Sequence, residues 1–434
     1  MATAPATPAY RRFVLAMLFI VFTLNYLDRQ IIAILGPAIK QDLHLSDTQL
    51  GLMGGFAFAI FYTVLGIPAG LLADRRKRTG VIAGAITIWS GATALCGAAV
   101  GFWSLFLSRM LVGVGESGGV TPCYSIIADY YPASERGRAL AVFAFGIPFG
   151  SALGLFIGGV VAATFGWRAT FVIVGLVGIF FAPLFYKSVR EPVRGAMDPP
   201  RAAAAATEPK VSLRGTLAIV RGKRSFWLMA FSAGIMSMLG FGMAFWLPSF
   251  FVRERGLTLI ETAQVMSVLT LAAGVIGMSA GGLLSDRFGS RDRRHYGNLP
   301  AIVALLALPS MLVAMTSDSL TVTIAALLIP MIAQQFWVPG ILAAMTSVLP
   351  ARARTSGSAV YALVVNLIGL GCGTAAMGVL SDHFVASNTA EPLRHAMIYA
   401  AIVILPIAAV LFHVAGRFIE RDWESAPIAP ADGQ

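Results

Sequence analysis

Charged side chains are scarce in this chain. Asp, Glu, Lys and Arg make up 12% of the 434 residues, where a soluble globular protein carries roughly one in four, and the deficit excludes a water-soluble fold. Cysteine is scarcer still. Cys96, Cys123 and Cys372 fall in three different apolar runs with no paired or ligand-like spacing, so they read as small packing residues rather than a disulfide framework or a thiolate metal site. The chain also lacks a phosphate-cradling Walker loop, a metal-ligand spacing and a nucleophile–base arrangement, which are the elements of a chemical step. No enzyme activity, cofactor or metal is therefore expected. The polar start, Met1 to Arg12, meets an apolar run too long for a signal-peptide core and shows no cleavage pattern; it is expected to be retained.

Apolar residues are what the chain has in abundance, at 57%. A membrane-spanning helix needs about 20 of them in succession. Twelve such runs can be read, at 13–36, 49–72, 80–100, 102–128, 137–163, 167–187, 225–250, 262–284, 298–316, 319–348, 354–380 and 394–418. The expected fold class is all-α integral membrane, with twelve transmembrane helices.

The net charge of +11 suits nucleic acid or an anionic membrane, and placement decides between them. Alternate loops hold 25 of the 32 basic residues, the opposite loops hold Lys40, Arg168, Arg253, Arg255 and Arg394, and Arg29 and Arg109 lie within helices. The positive-inside rule accounts for this alternation without a nucleic-acid partner and puts both termini in the cytoplasm. The expected location is a cell membrane, a bacterial inner membrane, and the expected state is monomeric.

The order of the runs contains a repeat. Gly70-Leu-Leu-Ala-Asp74-Arg75 recurs as Gly282-Leu-Leu-Ser-Asp286-Arg287, and Tyr131-Pro132-Ala133-Ser134-Glu135-Arg136 is echoed by Leu349-Pro350-Ala351-Arg352-Ala353-Arg354. Six helices separate the copies, an even number, so the halves are parallel repeats about an axis normal to the membrane. The expected domains are a tail at 1–12, a six-helix bundle at 13–187, a linker at 188–224, a second six-helix bundle at 225–418 and a tail at 419–434. The linker holds Pro192, Pro199, Pro200, an alanine run and many basic residues, which predicts an amphipathic or disordered segment at the cytoplasmic surface.

Asp28 and Arg29 stand side by side inside the first apolar run. An ion at the membrane centre costs about 2.5–3.5 kcal/mol on insertion scales, so these residues are expected to face a cavity or a partner. Glu116 is the first candidate partner. A carboxylate whose neighbouring guanidinium moves with the helices has a geometry-dependent proton affinity, which is what proton coupling requires; Asp28, Glu116 and Arg29 are the candidate coupling set. A static bridge between the first and fourth helices is the alternative. Arg109 lies two turns before Glu116 on roughly the same face, either as a further pole of the network or as a cation snorkelling from a helix end.

At the basic loops, Asp74, Arg75, Arg78, Asp129, Glu135 and Arg136, with the repeated Asp286 and Arg287, are the candidate cytoplasmic gate; ordinary topology-setting charge is the alternative. Glycines 146, 150, 154, 158 and 159 around Pro148 give the fifth helix a smooth face for close packing or a hinge. The second half has no obvious mid-helix charge. Its polar residues Gln334, Gln335, Asn366, Thr374, Ser232 and His413 lie among Met236, Met238, Phe241, Met243, Phe245, Trp246, Phe336, Trp337 and Tyr361. Asn25, Tyr26, Arg29, Arg109, Glu116, Trp246, Gln334, Trp337, Tyr361 and Asn366 are accordingly the candidate substrate-binding residues, for an amphiphile with its anionic head at Arg29 and its tail on the second half. A lipid-facing or packing stripe is the alternative.

Gly70 to Arg78 resembles the loop motif of the major facilitator superfamily. Arg109-Met-Leu-Val-Gly113-Val-Gly115 resembles its fourth-helix motif, and Gly146-Ile-Pro148-Phe-Gly150 with Gly154, Gly158 and Gly159 resembles its fifth-helix motif. More narrowly, Asn25-Tyr26-Leu27-Asp28-Arg29 with Ser108 to Ser117 resembles the spinster-like subfamily, whose animal members export lysolipids such as sphingosine 1-phosphate. The resemblance implies two six-helix bundles rocking about a central cavity, an Asp and a Glu that switch protonation at Asp28 and Glu116, and an Arg that meets an anionic headgroup at Arg29. The expected function is proton-coupled transport of an anionic lysophospholipid-like amphiphile, in exchange for protons. A uniporter, a carrier of small organic anions or drugs, and a channel or lipid scramblase stay open as alternatives.

Overall fold

The structure is a computed structural model and describes residues 7–197, 213–350 and 353–423. Arg352, the middle of the expected linker with Pro199 and Pro200, and most of the expected C-terminal tail lie outside the described residues. Among those described, every regular element is helical. This follows from the solvent: in hydrocarbon each backbone N–H and C=O must be satisfied within its own segment.

The first half comprises α1 (Pro8–Leu43), α2 (Asp47–Gly51) running through a wide π-type turn (Leu52–Phe56) into α3 (Ala57–Arg75), α4 (Arg78–Cys96), α5 (Phe102–Glu116), α6 (Val120–Tyr130), α7 (Ala133–Ala144) and α8 (Gly146–Ser188). After α9 (Leu213–Arg221) come α10 (Arg224–Arg253), α11 (Leu259–Gly289), α12 (His295–Thr316), α13 (Leu320–Ser347), α14 (Arg354–Val365), a second π-type turn (Asn366–Gly371), α15 (Cys372–Ala386) and α16 (Pro392–Asp422). Among the described residues, ten helical stretches are long and apolar enough to span a bilayer. The expected number is reached because Ala133–Ser188 turns at Gly166, whose φ of 79° is open to glycine without strain, and so contains two of the expected runs. The run expected at 102–128 is helical too, but residues 117–119 break it into α5 and α6.

Local sequence explains where elements begin. Thr7 caps α1 by accepting from the Tyr10 amide at 3.3 Å, with Pro8 as first helical residue. Ser46 and Gln49 form a reciprocal capping box at α2, satisfying donors that would otherwise be orphaned. Within the expected linker, α9 buries Thr216 and Val220 on one side and exposes Arg214, Leu217 and Arg221 on the other.

By contact the chain forms two compact units. The first is Met1–Thr207 with Gly240–Val275 and Leu370–Ile398; the second is Glu208–Leu239 with Ile276–Gly369 and Tyr399–Gln434. Within the first unit α8 lies directly on α1. A Cβ at Gly150 would sit 2.3 Å from the Thr23 carbonyl oxygen and one at Gly154 would sit 2.5 Å from that of Leu27, so these glycines let the backbones touch. Cys96 and Cys123 are buried as packing residues, whereas Cys372 is exposed; its place at the start of α15 faces away from the interior.

Candidate functional site

The α1–α8 contact holds the middle of α1 in place, and α1 carries the charges. Successive residues of a helix point about 100° apart, so Asp28 and Arg29 reach different partners. Arg29 Nε donates to Glu116 Oε2 at 2.7 Å. The hydroxyl of Thr93 on α4 donates to Asp28 Oδ2, and Arg109 Nη1 lies 3.8 Å from Asp28 Oδ1. Two adjacent residues of α1 thus meet two residues two turns apart on α5. Asp28, Arg109, Glu116 and Asn25 are at most 2% exposed, which places Arg109 inside the network rather than snorkelling at a helix end. Asn25 neighbours Glu116.

The set is neutral overall, with two carboxylates and two guanidinium groups, as a buried cluster must nearly be. Its hydrogen bonding is nevertheless incomplete. Asp28 Oδ1, Glu116 Oε1, Arg29 Nη2, Arg109 Nε and Arg109 Nη1 are buried with no hydrogen-bond partner. Each such atom is costly to keep out of water.

Arg29 also sits among aromatic faces, its guanidinium carbon 4.5 Å from the Tyr62 ring centre, 4.7 Å from Phe58 and 5.1 Å from Tyr26. Rings at that distance attract a cation without satisfying its N–H donors. Beside Arg29 opens a cavity of about 50 Å³, lined among others by Tyr26, Gln30, Phe58, Arg109, Phe241 and Phe245. Gly54 in the first π-type turn and Leu370 in the second also line it, in keeping with the frequent use of π-type turns at functional sites.

Trp246 does not line this cavity, contrary to the sequence expectation. It is fully buried and its indole N–H donates to the Thr374 carbonyl oxygen at 2.8 Å, which turns the ring toward α15 and leaves Phe241 and Phe245 as the lining. Tyr62, Phe58 and Thr93 were not singled out from sequence: each is a common residue in an apolar helix, without a signal of its own.

The remaining expected binding residues belong to the second unit. Trp337 packs on Phe412 with ring centres 6.2 Å apart, and its indole nitrogen and Gln334 Nε2, one turn away, are buried without partners. Tyr361 is buried and Asn366 opens the second π-type turn. The His413 ring lies 2.9 Å from Asn298 Oδ1.

At the basic-loop face, Arg78 is 2% exposed. It donates to Asp129, to Ser125 Oγ at 2.7 Å, to Glu191 Oε1 at 2.8 Å and to the Pro192 carbonyl at 3.0 Å. Glu191 also accepts from the Thr79 amide at 2.9 Å, and Asp129 from the Gly195 amide at 2.8 Å. Burial pushes the Glu191 carboxyl up, but the bonds from Thr79 and Arg78 outweigh it and hold the group below the usual carboxylate range. This cluster ties the segment after α8 to α4 and α6, all within the first unit. Arg136 donates to the Ala128 carbonyl at 2.8 Å, whereas Asp74, Arg75, Glu135, Asp286 and Arg287 are exposed. Glu191 was missed because it lies in the proline-bearing segment read as linker.

The opposite face holds a second network. Asp47 is fully buried and accepts from Lys40, from Arg253 Nη1 at 2.8 Å and Nη2 at 3.2 Å, and from Ser381 Oγ at 2.7 Å. The Asp382 carboxylate caps α2 through the amides of Asp47 at 3.0 Å and Thr48 at 2.8 Å. Near it, Glu254 accepts from the Leu393 and Arg394 amides at 2.7 and 2.9 Å; burial holds its carboxyl above the usual range despite those bonds. These contacts join α2 to the ends of α10 and α15, so both halves of the sequence contribute. The available signal was an acid on the charge-poor side with few cations to pair with.

A profile of the Major Facilitator Superfamily matches residues 18–374. An MFS-type efflux pump of Mycolicibacterium smegmatis is 32% identical over 407 residues, covering 94% of this chain and 92% of that one. A hexuronate transporter of Bacillus subtilis is 33% identical over 276 residues, 63% of this chain and 64% of that one. The crystal structure of a bacterial homolog to the human lysosomal transporter Spinster, in an inward-facing and unoccupied conformation, superposes with a TM-score of 0.87 at 29% identity, over 97% of this chain and all of that one. The chain therefore belongs to the major facilitator superfamily as a spinster-like member, a multi-pass membrane transporter rather than an enzyme.

Proposed function

We propose that the chain is a proton-coupled secondary transporter of an anionic amphiphile of the lysophospholipid type, working by alternating access. The observation that carries this reading is one guanidinium with two claimants. Arg29 lines the cavity and is held by Glu116. An entering anion must compete with that carboxylate, and the competition ends when Glu116 takes up a proton and releases the guanidinium. Proton and anion then bind together, which favours movement in one direction over the exchange expected from sequence. Asp28, clamped by Thr93 and Arg109, is the second carboxylate of the set, and loss of the Arg109 contact as helices shift would change its charge state.

A cavity of about 50 Å³ has room for a few water molecules, far less than the several hundred Å³ of a ligand site. Substrate entry therefore requires the helices around Arg29 to part. In this reading the Asp47 network holds the charge-poor side shut, and the basic loops supply the cytoplasmic side by the positive-inside rule. In this reading the bundles are residues 13–187 and 225–418, joined by 188–224, and a single copy in a bacterial inner membrane is the working unit. The Arg78 cluster steadies one bundle, and in this reading the exposed Asp74, Arg75, Glu135, Asp286 and Arg287 latch the cytoplasmic side when it closes.

The narrow cavity and the hexuronate transporter among the relatives favour a second reading, a small organic acid as cargo. Proteoliposomes with an imposed pH step separate the two. Accumulation of lysophosphatidate against its gradient, lost in Glu116→Gln, supports the amphiphile; accumulation of glucuronate alone supports the acid. Equal uphill transport by wild type and Glu116→Gln removes the coupling assignment.

A further inference from the structure

Two grooves on the outside of the first unit share the same two residues. One, of about 720 Å³, runs between α3, α4 and the turn after α5; the other, of about 440 Å³, runs between α4 and the last turns of α8; Gly80 and Gly84 line both. Side chains along them are apolar and partly exposed, including Leu72 and Ile88. At one end of the larger groove stand Arg76 and Lys77, both exposed, with the half-exposed Tyr186 at the same level of the second groove. Among the described residues, Gly84 has no neighbour within 4 Å where a Cβ would point, and Gly80 has only the edge of the Tyr186 ring at 3.6 Å. Glycine is the least favourable residue inside a helix apart from proline, and none of the described residues packs against Gly84 closely enough to require it.

The dimensions match one leaflet. Lys77 to Ile88 spans eleven residues of chain, about 16 Å of helix, and half a bilayer's hydrocarbon core is about 15 Å. The cations therefore lie at headgroup level on the basic-loop face, and the grooves descend to the midplane. We propose that this paired groove is a binding site for one anionic, two-chain phospholipid, with its phosphate at Arg76 and Lys77 and one acyl chain on each side of the Gly80–Gly84 strip. The two cations supply complementarity to the headgroup that a zwitterionic lipid would satisfy less well. The site is separate from the Arg29 cavity and does not depend on what the transporter carries.

The test delipidates the full-length protein in detergent and titrates it with phosphatidylglycerol or phosphatidylcholine of identical acyl chains, counting bound lipid by native mass spectrometry. Wild type should bind phosphatidylglycerol about tenfold more tightly. Arg76→Gln with Lys77→Gln should bring the two lipids to equality, and Gly84→Leu should weaken both. The charge variant alters only exposed side chains, so it decides the matter even if Gly84→Leu fails to fold. Equal affinities in wild type, a preference that survives the charge variant, or a folded Gly84→Leu that keeps its lipid would each overturn the proposal. So would a dimer that Gly84→Leu dissociates, since a partner helix would then fill the groove.

Discussion

Arg29 lines the cavity beside Arg109, stacks on three rings and pairs with a buried acid, and in the function proposed above it is the group that meets the anion. Replacing it with Lys keeps the charge but not the planar fork or the stacking. Arg29→Lys is expected to weaken binding of an anionic lysolipid about tenfold or more, while affinity for an uncharged analogue stays within about twofold; titration of both ligands by fluorescence or calorimetry checks it. Thr93 is a subtler member. Thr93→Val keeps shape and strands Asp28 Oδ2 without its donor, which should cost about 1–3 kcal/mol of stability and move the pH profile of uptake, two readouts that a packing role would not move together. For Glu191 the sign is set by its lowered folded value: the ionised group stabilises the fold above the ordinary carboxylate range, and that contribution is lost as pH falls through the lower folded value. The melting temperature of Glu191→Gln in detergent should therefore lie below wild type near neutral pH and converge with it in acid.

At the scale of elements, the fifth-helix glycines work as packing surface. Gly146, Gly150, Gly154 and Gly158 all face α1, and Pro148 meets Gly274. Gly154→Leu would push against the Leu27 carbonyl, one residue before Asp28, and should cost about 1–3 kcal/mol or more; a lower melting temperature together with lost uptake is the expected outcome, and unchanged melting would mean the interface can give way. For the hinge alternative there is a turn at Phe145 on that same run, between α7 and α8 and three residues before Pro148, and there are further interruptions elsewhere. The break after Glu116 and the two wide turns at Leu52–Phe56 and Asn366–Gly371 interrupt helices beside the charge network and the cavity. Their positions were not legible in advance, since Gly118-Gly119 and Gly54-Gly55 read in sequence like any of the other small residues that line membrane helices.

At the scale of the whole molecule, the Asp47 network joins residues that lie far apart in the sequence. It gathers Lys40, Arg253 and Ser381 around one buried carboxylate, and removing one member of a buried ionic cluster leaves the others uncompensated. In the alternating-access reading proposed above, Asp47→Asn should therefore destabilise the state in which the charge-poor side is closed. A cysteine placed at Phe245, on the cavity wall, should then be labelled by an impermeant thiol reagent from that side about tenfold faster or more. An unchanged labelling rate would show that the apolar packing of α10 and α15 holds that side shut without the ions.

Composition and the alternation of basic loops were sufficient to specify a multi-pass helical membrane protein with its spans near their observed positions, because the cost of exposing backbone and charge to hydrocarbon acts on every residue locally. The same cost marked Asp28, Arg29 and Glu116 as residues needing partners. Which partner each one took was settled only in three dimensions. A helix that is apolar on all sides carries little information about its rotation, so the pairing of Asp28 with Thr93 and Arg109, the rings around Arg29, the turning away of Trp246 and the meeting of Asp47 with Arg253 depended on how whole helices packed.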